Sequence, residues 1–246
     1  MKINMKTVAV IPAYNEAATI RAVASRTLEV LRDVIVVDDG SSDDTAAQTA
    51  GLPVTLISNF KNLGKGASLW RGFALALAEG AEAVVTLDGD AQHRPEDIPL
   101  LLEAAAVCPG RIIVGARLWD RDKVPPLRYF GNRFANFWVA WAAGFPVADS
   151  QSGFRLYPAS FLRTVKVNPG SRFAFESEIL IEAGRAGVRT NAVPIAALYP
   201  PQARASHYRA AVDTARIVRM IAWKLLTRGL DLPALVRSLV LARSGT

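Results

Sequence analysis

Five short runs rich in valine and isoleucine, separated by stretches with helical spacing, constrain this 246-residue chain more than any other feature. They are residues 7–11, 34–37, 54–57, 83–87 and 112–114. Each is continuously apolar rather than alternating, which predicts strands covered on both faces. Between them residues 16–31, 43–50, 66–78 and 95–107 read as helices. Pro95 suits a first helical turn, with Glu96 and Asp97 placed favourably for the helix dipole. A βαβ series of this kind predicts an α/β fold: a Rossmann-like, mostly parallel central sheet with helices on both faces. Ligands then gather beyond the C-terminal ends of the strands. Further on the pattern loosens into an aromatic segment at 125–145, a strand at 154–157, a helix at 175–186, a strand near 188–198 and a basic tail.

Length and a hydrophobic content of 51% are ample for a core and exclude a disordered chain or a small disulfide scaffold. Cys108 is the single thiol, best read as a buried helical residue, so nothing depends on an oxidising compartment. The N-terminal apolar run is too short for a signal-peptide core. No stretch reaches the roughly 18 to 20 apolar residues of a membrane span. The longest charge-free candidate, 134–148, contains Gly144 and Pro146. Charge is uneven: residues 200–246 hold eight basic and two acidic groups, against 21 and 20 in the first 199. Such a tail points to polyanions, phospholipid headgroups or nucleic acid.

Three strand ends are polar in a way a core does not require. The first run leads into Pro12, Tyr14, Asn15 and Glu16, the second into Asp38, Asp39, Gly40, Ser41 and Ser42, and the fourth into Asp88, Gly89, Asp90, Ala91 and Gln92. Carboxylates converging on one rim repel each other and favour a cation. Asp88 and Asp90 flanking a glycine present hard oxygen ligands to Mg²⁺ or Mn²⁺, Gln92 offers another oxygen, and a diphosphate and water complete the shell. With oxygen-rich neighbours and no cysteine nearby, zinc does not suit the site, and His93 reads as a loop or substrate-contact residue. At the second strand end Gly40 permits a tight turn and Ser42 or Asp43 a helix cap, while a carboxylate of Asp38 or Asp39 is left for a base or ribose. The stretch Asn62-Leu-Gly-Lys-Gly lacks the spacing of a Walker loop, yet Lys65 remains a candidate nucleotide contact.

These stretches, VAVIPAYNE, VIVVDDGSSDDT, NLGKG, VVTLDGDAQHRPEDI, IIVGAR, DSQSGFR and FAFESEILIEAGRAG, occur in the order seen in one family across roughly residues 5–200. The chain resembles the type-A (GT-A) glycosyltransferases of family 2, in the branch of dolichyl- and polyprenyl-phosphate sugar synthases. The resemblance implies a nucleotide-diphospho-sugar donor carrying UDP or GDP and an inverting, metal-dependent transfer. It implies that Pro12, Tyr14, Glu16, Asp38 and Asp39 line the nucleotide pocket. It further implies that Asp88, Asp90 and Gln92 hold the metal of the diphosphate, with Arg117 near the acceptor or transferred phosphates.

The acceptor divides the readings. A lipid phosphate is already nucleophilic and needs only positioning, for which Arg117, Arg128 and Arg133 are candidates. A hydroxyl acceptor needs a base, with Asp149, Glu176 and Glu178 as candidates. A non-catalytic nucleotide-sugar sensor is a third possibility. Family members often place a basic residue after a serine in the loop that follows the sheet. Here the loop reads Arg204-Ala-Ser-His-Tyr-Arg209, so Arg204, His207 or Arg209 would substitute. Residues 125–145, with Arg128, Arg133, Phe134, Phe137, Trp138 and Trp141, suit a helix at a headgroup boundary, on the catalytic domain or in a homodimer. In the tail Ala215, Val218, Ile221, Ala222, Leu225 and Leu226 share one arc, with Arg216, Arg219, Lys224 and Arg228 outside it, which makes a basic amphipathic helix. Its aromatic and apolar neighbours favour lipid over nucleic acid. The expected organisation is a glycosyltransferase domain over 1–200 and a membrane-surface or docking tail over 201–246. The protein is then expected in the cytoplasm, peripherally bound to the inner face of the membrane.

Overall fold

A computed structural model describes residues 5–117, 126–196, 198, 210–227, 231–236 and 238, with backbone alone for 126–130, 171–173 and 210–215. Among these residues the strands are β1 (Thr7–Ala13), β2 (Asp33–Asp38), β3 (Thr55–Ser58), β4 (Ala83–Thr86), β5 (Ile112–Arg117), β6 (Arg155–Pro158) and β7 (Thr190–Ile195). The helices are α1 (Ile20–Leu28), α2 (Lys65–Ala78), α3 (Ile98–Val107), α4 (Pro126–Ala143), α5 (Ala159–Leu162), α6 (Phe175–Arg185) and α7 (Ala210–Thr227). One sheet runs in the order β3-β2-β1-β4-β6-β5-β7. Its pairings are parallel except those of β6, which runs antiparallel to both β4 and β5.

Register determines which loops meet. Ala13 pairs with Asp38 and Asp38 with Ser58, so β1, β2 and β3 end together, and Val10 opposite Thr86 brings the end of β4 beside them. Because β6 is reversed, it starts where its neighbours finish, with Arg155 opposite both Thr86 and Val114. The residues that precede it are thereby delivered to the same rim.

The continuous apolar runs are explained by two cores. Val8 and Val10 of β1 join Ile35, Val37 and Val84 under α2, α4, α6 and α7. Ala9 and Ile11 join Val36, Val85 and Ile113 under α1 and α3. Residues 54–57 depart from expectation: β3 is the edge strand, and most of it is exposed rather than covered on both faces. Residues 43–50 do not form an α-helix. The Asp43 carboxylate accepts from the amide and hydroxyl of Thr45 and from the Ala17 amide, and only a 3-10 turn at Ala47–Thr49 follows. The Thr45 hydroxyl in turn accepts from the Glu16 amide. The Thr19 and Ile20 amides close a turn on the Glu16 carbonyl, and α1 begins at Ile20.

The basic helix α7 exists, but its buried face differs from the arc read in the sequence. Ile217, Ile221 and Leu225 are buried, whereas Val218 and Leu226 are exposed. The cause is electrostatic: the Lys224 ammonium pairs with Glu178 at 3.0 Å and also with Glu182, both on α6, and so turns inward. α7 therefore packs into the same core cluster as α4 and α6. No described helix is long and apolar enough to cross a membrane.

α4 and α6 cross at Gly184, where an added Cβ would stand 1.9 Å from the Ala143 carbonyl oxygen. Backbone on both sides leaves no flexible group to move aside. Gly184→Ala is expected to force the helices apart and cost about 1–3 kcal/mol, the range typical of overpacking. Urea denaturation checks this, and an unchanged midpoint would contradict the packing described.

Candidate active site

Hydrogen bonds between neighbouring strand ends build the rim. Asn15, in the left-handed region at φ 55°, donates its amide to the Ser41 hydroxyl at 2.9 Å and accepts from the Ser42 amide at 2.8 Å. Thr19 at the start of α1 donates to the Gly89 carbonyl at 2.7 Å, fastening the turn after β4. Pro12 is buried, and Tyr14 and Glu16 are half-buried in the first of these loops. Ala91 closes the Asp88–Gln92 turn at φ 61°, a conformation an L-alanine adopts at a cost of about 1–2 kcal/mol.

The doubled aspartate divides its work. Asp38 accepts from the Ser41 amide and hydroxyl, at 3.1 and 2.5 Å, and holds its own turn. Asp39 reaches across to the next loop. Its Oδ1 accepts from Asn59 Nδ2 at 2.7 Å and the Leu63 amide at 2.9 Å, and its Oδ2 from the Gly64 amide at 2.8 Å. Asp39 therefore shapes the Asn62–Lys65 segment and starts α2 where it does.

Starting α2 there aims Lys65 at the rim. Its ammonium lies 2.5 Å from Asp88 Oδ1 and 2.8 Å from Glu176 Oε1 in the first turn of α6. Gly153, from the segment before β6, packs directly beneath. A Cβ there would lie 2.7 Å from Asp88 Oδ2, 2.9 Å from Glu176 Oε1 and 2.9 Å from Lys65 Nζ. Burial alone would drive Lys65 toward the neutral amine, but the two carboxylates outweigh it and hold its pKa above the ordinary value. Burial likewise works against ionised Asp88, yet Lys65 holds that carboxyl below the usual range. Asp90 accepts the Gln92 amide at 3.0 Å, and burial together with the Asp88 charge pushes it up to about 6. His93 is buried against Phe154 with ring centroids 5.5 Å apart, and burial lowers it to about 4, so the ring is neutral at pH 7.

Among the described residues no group of three or more His, Cys, Asp or Glu side chains could by itself hold a metal. The donors on the rim are the two carboxylates of the Asp88–Asp90 turn with the half-buried Gln92 beside them. At Asp90 burial and the Asp88 charge outweigh the favourable charge of Lys65. Two carboxylates suit a hard cation that completes its shell with phosphate oxygens and water, and they do not suit zinc.

A second cluster adjoins the first. Arg117 at the end of β5 grips Asp149 in a two-point pair, Nε to Oδ2 at 2.8 Å and Nη2 to Oδ1 at 2.9 Å. The Gln151 amide also donates to Oδ1, at 3.0 Å, and Asp149 is fully buried. Beneath lies Arg155, fully buried, donating to the carbonyls of Glu176 at 2.7 Å and Ser150 at 2.9 Å and to the Tyr157 hydroxyl at 3.3 Å. From α4, Asn136 receives the Ser150 amide and hydroxyl and donates to the Ala148 carbonyl, each at 2.8 Å.

Of the residues singled out in the sequence, the fold brings Lys65, Asp88, Asp90, Glu176, Arg117 and Asp149 to one rim, next to the Pro12–Glu16 and Asp38–Asp39 loops. Arg133 stands exposed on α4, and Glu178 pairs with Lys224. The Arg128 side chain, Arg204, His207 and Arg209 lie outside the described residues. Sequence reasoning passed over Asn136 and Asn59, and took Gly153 and Arg155 only as part of the DSQSGFR stretch, without a role of their own. The one signal available was an arginine inside an otherwise apolar strand, Phe154 to Tyr157, which only a buried hydrogen-bonding role accommodates. Arg155→Met is expected to leave the Ser150 and Glu176 carbonyls unsatisfied and to cost on the order of 3 kcal/mol, measured by chemical denaturation. A loss under 1 kcal/mol would show that these carbonyls find other partners.

A family model described as glycosyl transferase family 2 matches residues 8–180. A UDP-N-acetylglucosamine–dolichyl-phosphate N-acetylglucosaminyltransferase of Methanococcus voltae is 30% identical over 212 residues, covering 77% of this chain and 84% of that protein. An undecaprenyl-phosphate mannosyltransferase of Micrococcus luteus is 27% identical over 208 residues, covering 78% and 83%. In fold the chain is similar to glucosyl-3-phosphoglycerate synthase from Mycobacterium tuberculosis, crystallised with Mg²⁺ and UDP. The TM-score is 0.65 at 23% identity, over 92% of this chain and 80% of that one. The family match runs from β1 to the middle of α6 and so includes every segment that meets at Lys65; the chain belongs to glycosyl transferase family 2 and is a glycosyltransferase of GT-A fold.

Proposed function

We propose that this glycosyltransferase moves a sugar from a UDP- or GDP-linked donor to a polyprenyl phosphate or related lipid phosphate, with inversion and with the help of Mg²⁺ or Mn²⁺. The observation that carries the acceptor assignment is the state of the three carboxylates a hydroxyl acceptor would need. A general base must offer a lone pair to the acceptor's proton. Both oxygens of Asp149 are taken by Arg117, with the Gln151 amide on one of them. One oxygen of Glu176 is ion-paired with Lys65 and one of Glu178 with Lys224. A lipid phosphate asks for none of them, because its oxyanion is already the nucleophile. The two lipid-phosphate transferases among the relatives support the same choice.

In this reading Pro12, Tyr14, Glu16, Asp38 and Asp39 surround the nucleotide, Asp39 by shaping the loop against it. Asp88, Asp90 and Gln92 hold the divalent cation, which when bound stabilises charge developing on the departing nucleoside diphosphate. Lys65 adds positive charge at the same place. Arg117 and Arg133, with Arg128, Arg204 and Arg209, orient the acceptor phosphate by charge-assisted hydrogen bonds. Peripheral attachment at the cytoplasmic membrane face is supported by α7, which exposes Val218, Trp223 and Leu226. Arg216 and Arg219 lie on the same helix, and each basic group near an anionic surface adds about 1 kcal/mol.

The test is mass-spectrometric detection of a glycosylated lipid after incubation with Mn²⁺, pooled UDP- and GDP-sugars and polyprenyl phosphate. A lipid product is expected, and donor consumption without one would sink the acceptor assignment. Asp90→Ala is expected to reduce transfer by at least about a thousandfold, a loss of the size typical for an electrostatic stabiliser. Activity near that of the unaltered enzyme would remove Asp90 from the metal site. Glu178→Gln should leave kcat within about tenfold of the unaltered enzyme, since general-base catalysis is worth about 10²–10⁴-fold. A loss in that larger range would return the hydroxyl-acceptor reading.

A further inference from the structure

Lys65 occupies the place where a cation is wanted. Its ammonium lies 2.5 Å from Asp88 Oδ1, and the Gly153 backbone closes the space beneath. An ammonium 2.5 Å from Oδ1 would repel a divalent ion held by the same carboxylate. The lysine and the metal therefore compete for one carboxylate. Lys65 is the first residue of α2, so its four-carbon stem is free of helix neighbours on its N-terminal side. Glu176 supplies a second anchor at 2.8 Å that retains the ammonium nearby once Asp88 is given up. A donor diphosphate brings the negative charge that would draw it away.

We propose that Lys65 is the resident cation of the Asp88 carboxylate, neutralising it until the donor's diphosphate draws the ammonium on to itself and frees Asp88 for the divalent ion. This rests on the nucleotide-sugar and metal reading above and adds an order to it: nucleotide and metal reinforce each other's binding through one side chain. By linkage the effect is reciprocal, metal raising nucleotide affinity by the factor with which nucleotide raises metal affinity. The device also keeps the site from filling with metal while no donor is present.

The experiment is titration of the full chain with Mn²⁺, followed by the electron paramagnetic resonance of the free ion, without nucleotide and with UDP or GDP in turn. Lys65→Met should raise the nucleotide-free Mn²⁺ affinity about tenfold and lower the coupling factor between metal and nucleotide about tenfold, within the usual range of coupling. Loss of a positive charge by itself would raise both affinities alike and leave the coupling unchanged, which overturns the proposal. Glu176→Gln provides an independent arm should the first variant not fold. It leaves the ammonium leaning on Asp88 alone, so Mn²⁺ should bind several-fold more weakly without nucleotide while the ternary affinity stays put. Equal weakening in both conditions would again overturn it. If the unaltered protein binds no Mn²⁺ under either condition, this inference and the metal assignment fall together. A failed lipid-transfer assay with the coupling intact touches only the acceptor.

Discussion

The reversed pairing of β6 between β4 and β5 is the constraint on which the rest of the site depends. A parallel strand in that place would carry its preceding segment to the far end of the sheet. Running antiparallel, β6 instead brings residues 149–153 to the rim where β1, β2 and β4 end. Gly153 then lies under Lys65, Asp88 and Glu176, and Asp149 meets Arg117. The Thr86 hydroxyl, at the last residue of β4, donates to the Gly153 carbonyl at 2.7 Å and ties the two segments together. Insertion of one strand thus turns an ordinary strand-end rim into a charged cleft.

Charge in that cleft is balanced locally, as low-dielectric surroundings require. Isolated buried charges are costly, and each here is matched by opposite charges or by carbonyl dipoles. Lys65 is shared between two carboxylates, Arg117 is matched to Asp149, and Arg155 donates to two carbonyls and a hydroxyl. Asp90 is the exception, a carboxyl lifted to about 6 by burial and by the Asp88 charge beside it. The imbalance falls at the turn best suited to an oxygen-ligated cation. Positioning is tight throughout: Asp39 organises the loop that launches Lys65, and Arg155 holds the backbone of Glu176, the other anchor of the same ammonium.

Much of this was legible beforehand, for reasons that can be stated element by element. Continuous Val and Ile runs marked the strands because both faces of the central strands are covered. The polar strand ends identified the rim because no core need explains Asp38, Asp39, Asp88 and Asp90. The reading failed at 54–57 because β3 lies at the sheet edge, and at two other places because a side chain had been drawn into a contact far along the chain. Asp43 and Thr45 bind residues near 16 and so prevent the helix expected at 43–50. Lys224 is captured by Glu178 and Glu182, and α7 turns so that Val218 and Leu226 face solvent instead of Ile217.

The sequence by itself determined the βαβ succession, the rim and the residue types gathered there, since periodicity and turn chemistry are local properties of the chain. It also carried the family likeness, because the motifs lie in order along it. Only the tertiary structure decided that β6 runs backwards, that Arg155 is buried, and which cation each carboxylate serves. Those outcomes depend on long, rotatable charged side chains choosing among partners brought close by the fold. Separation along the chain, 23 residues from Lys65 to Asp88 and 111 to Glu176, says nothing about distances of 2.5 and 2.8 Å.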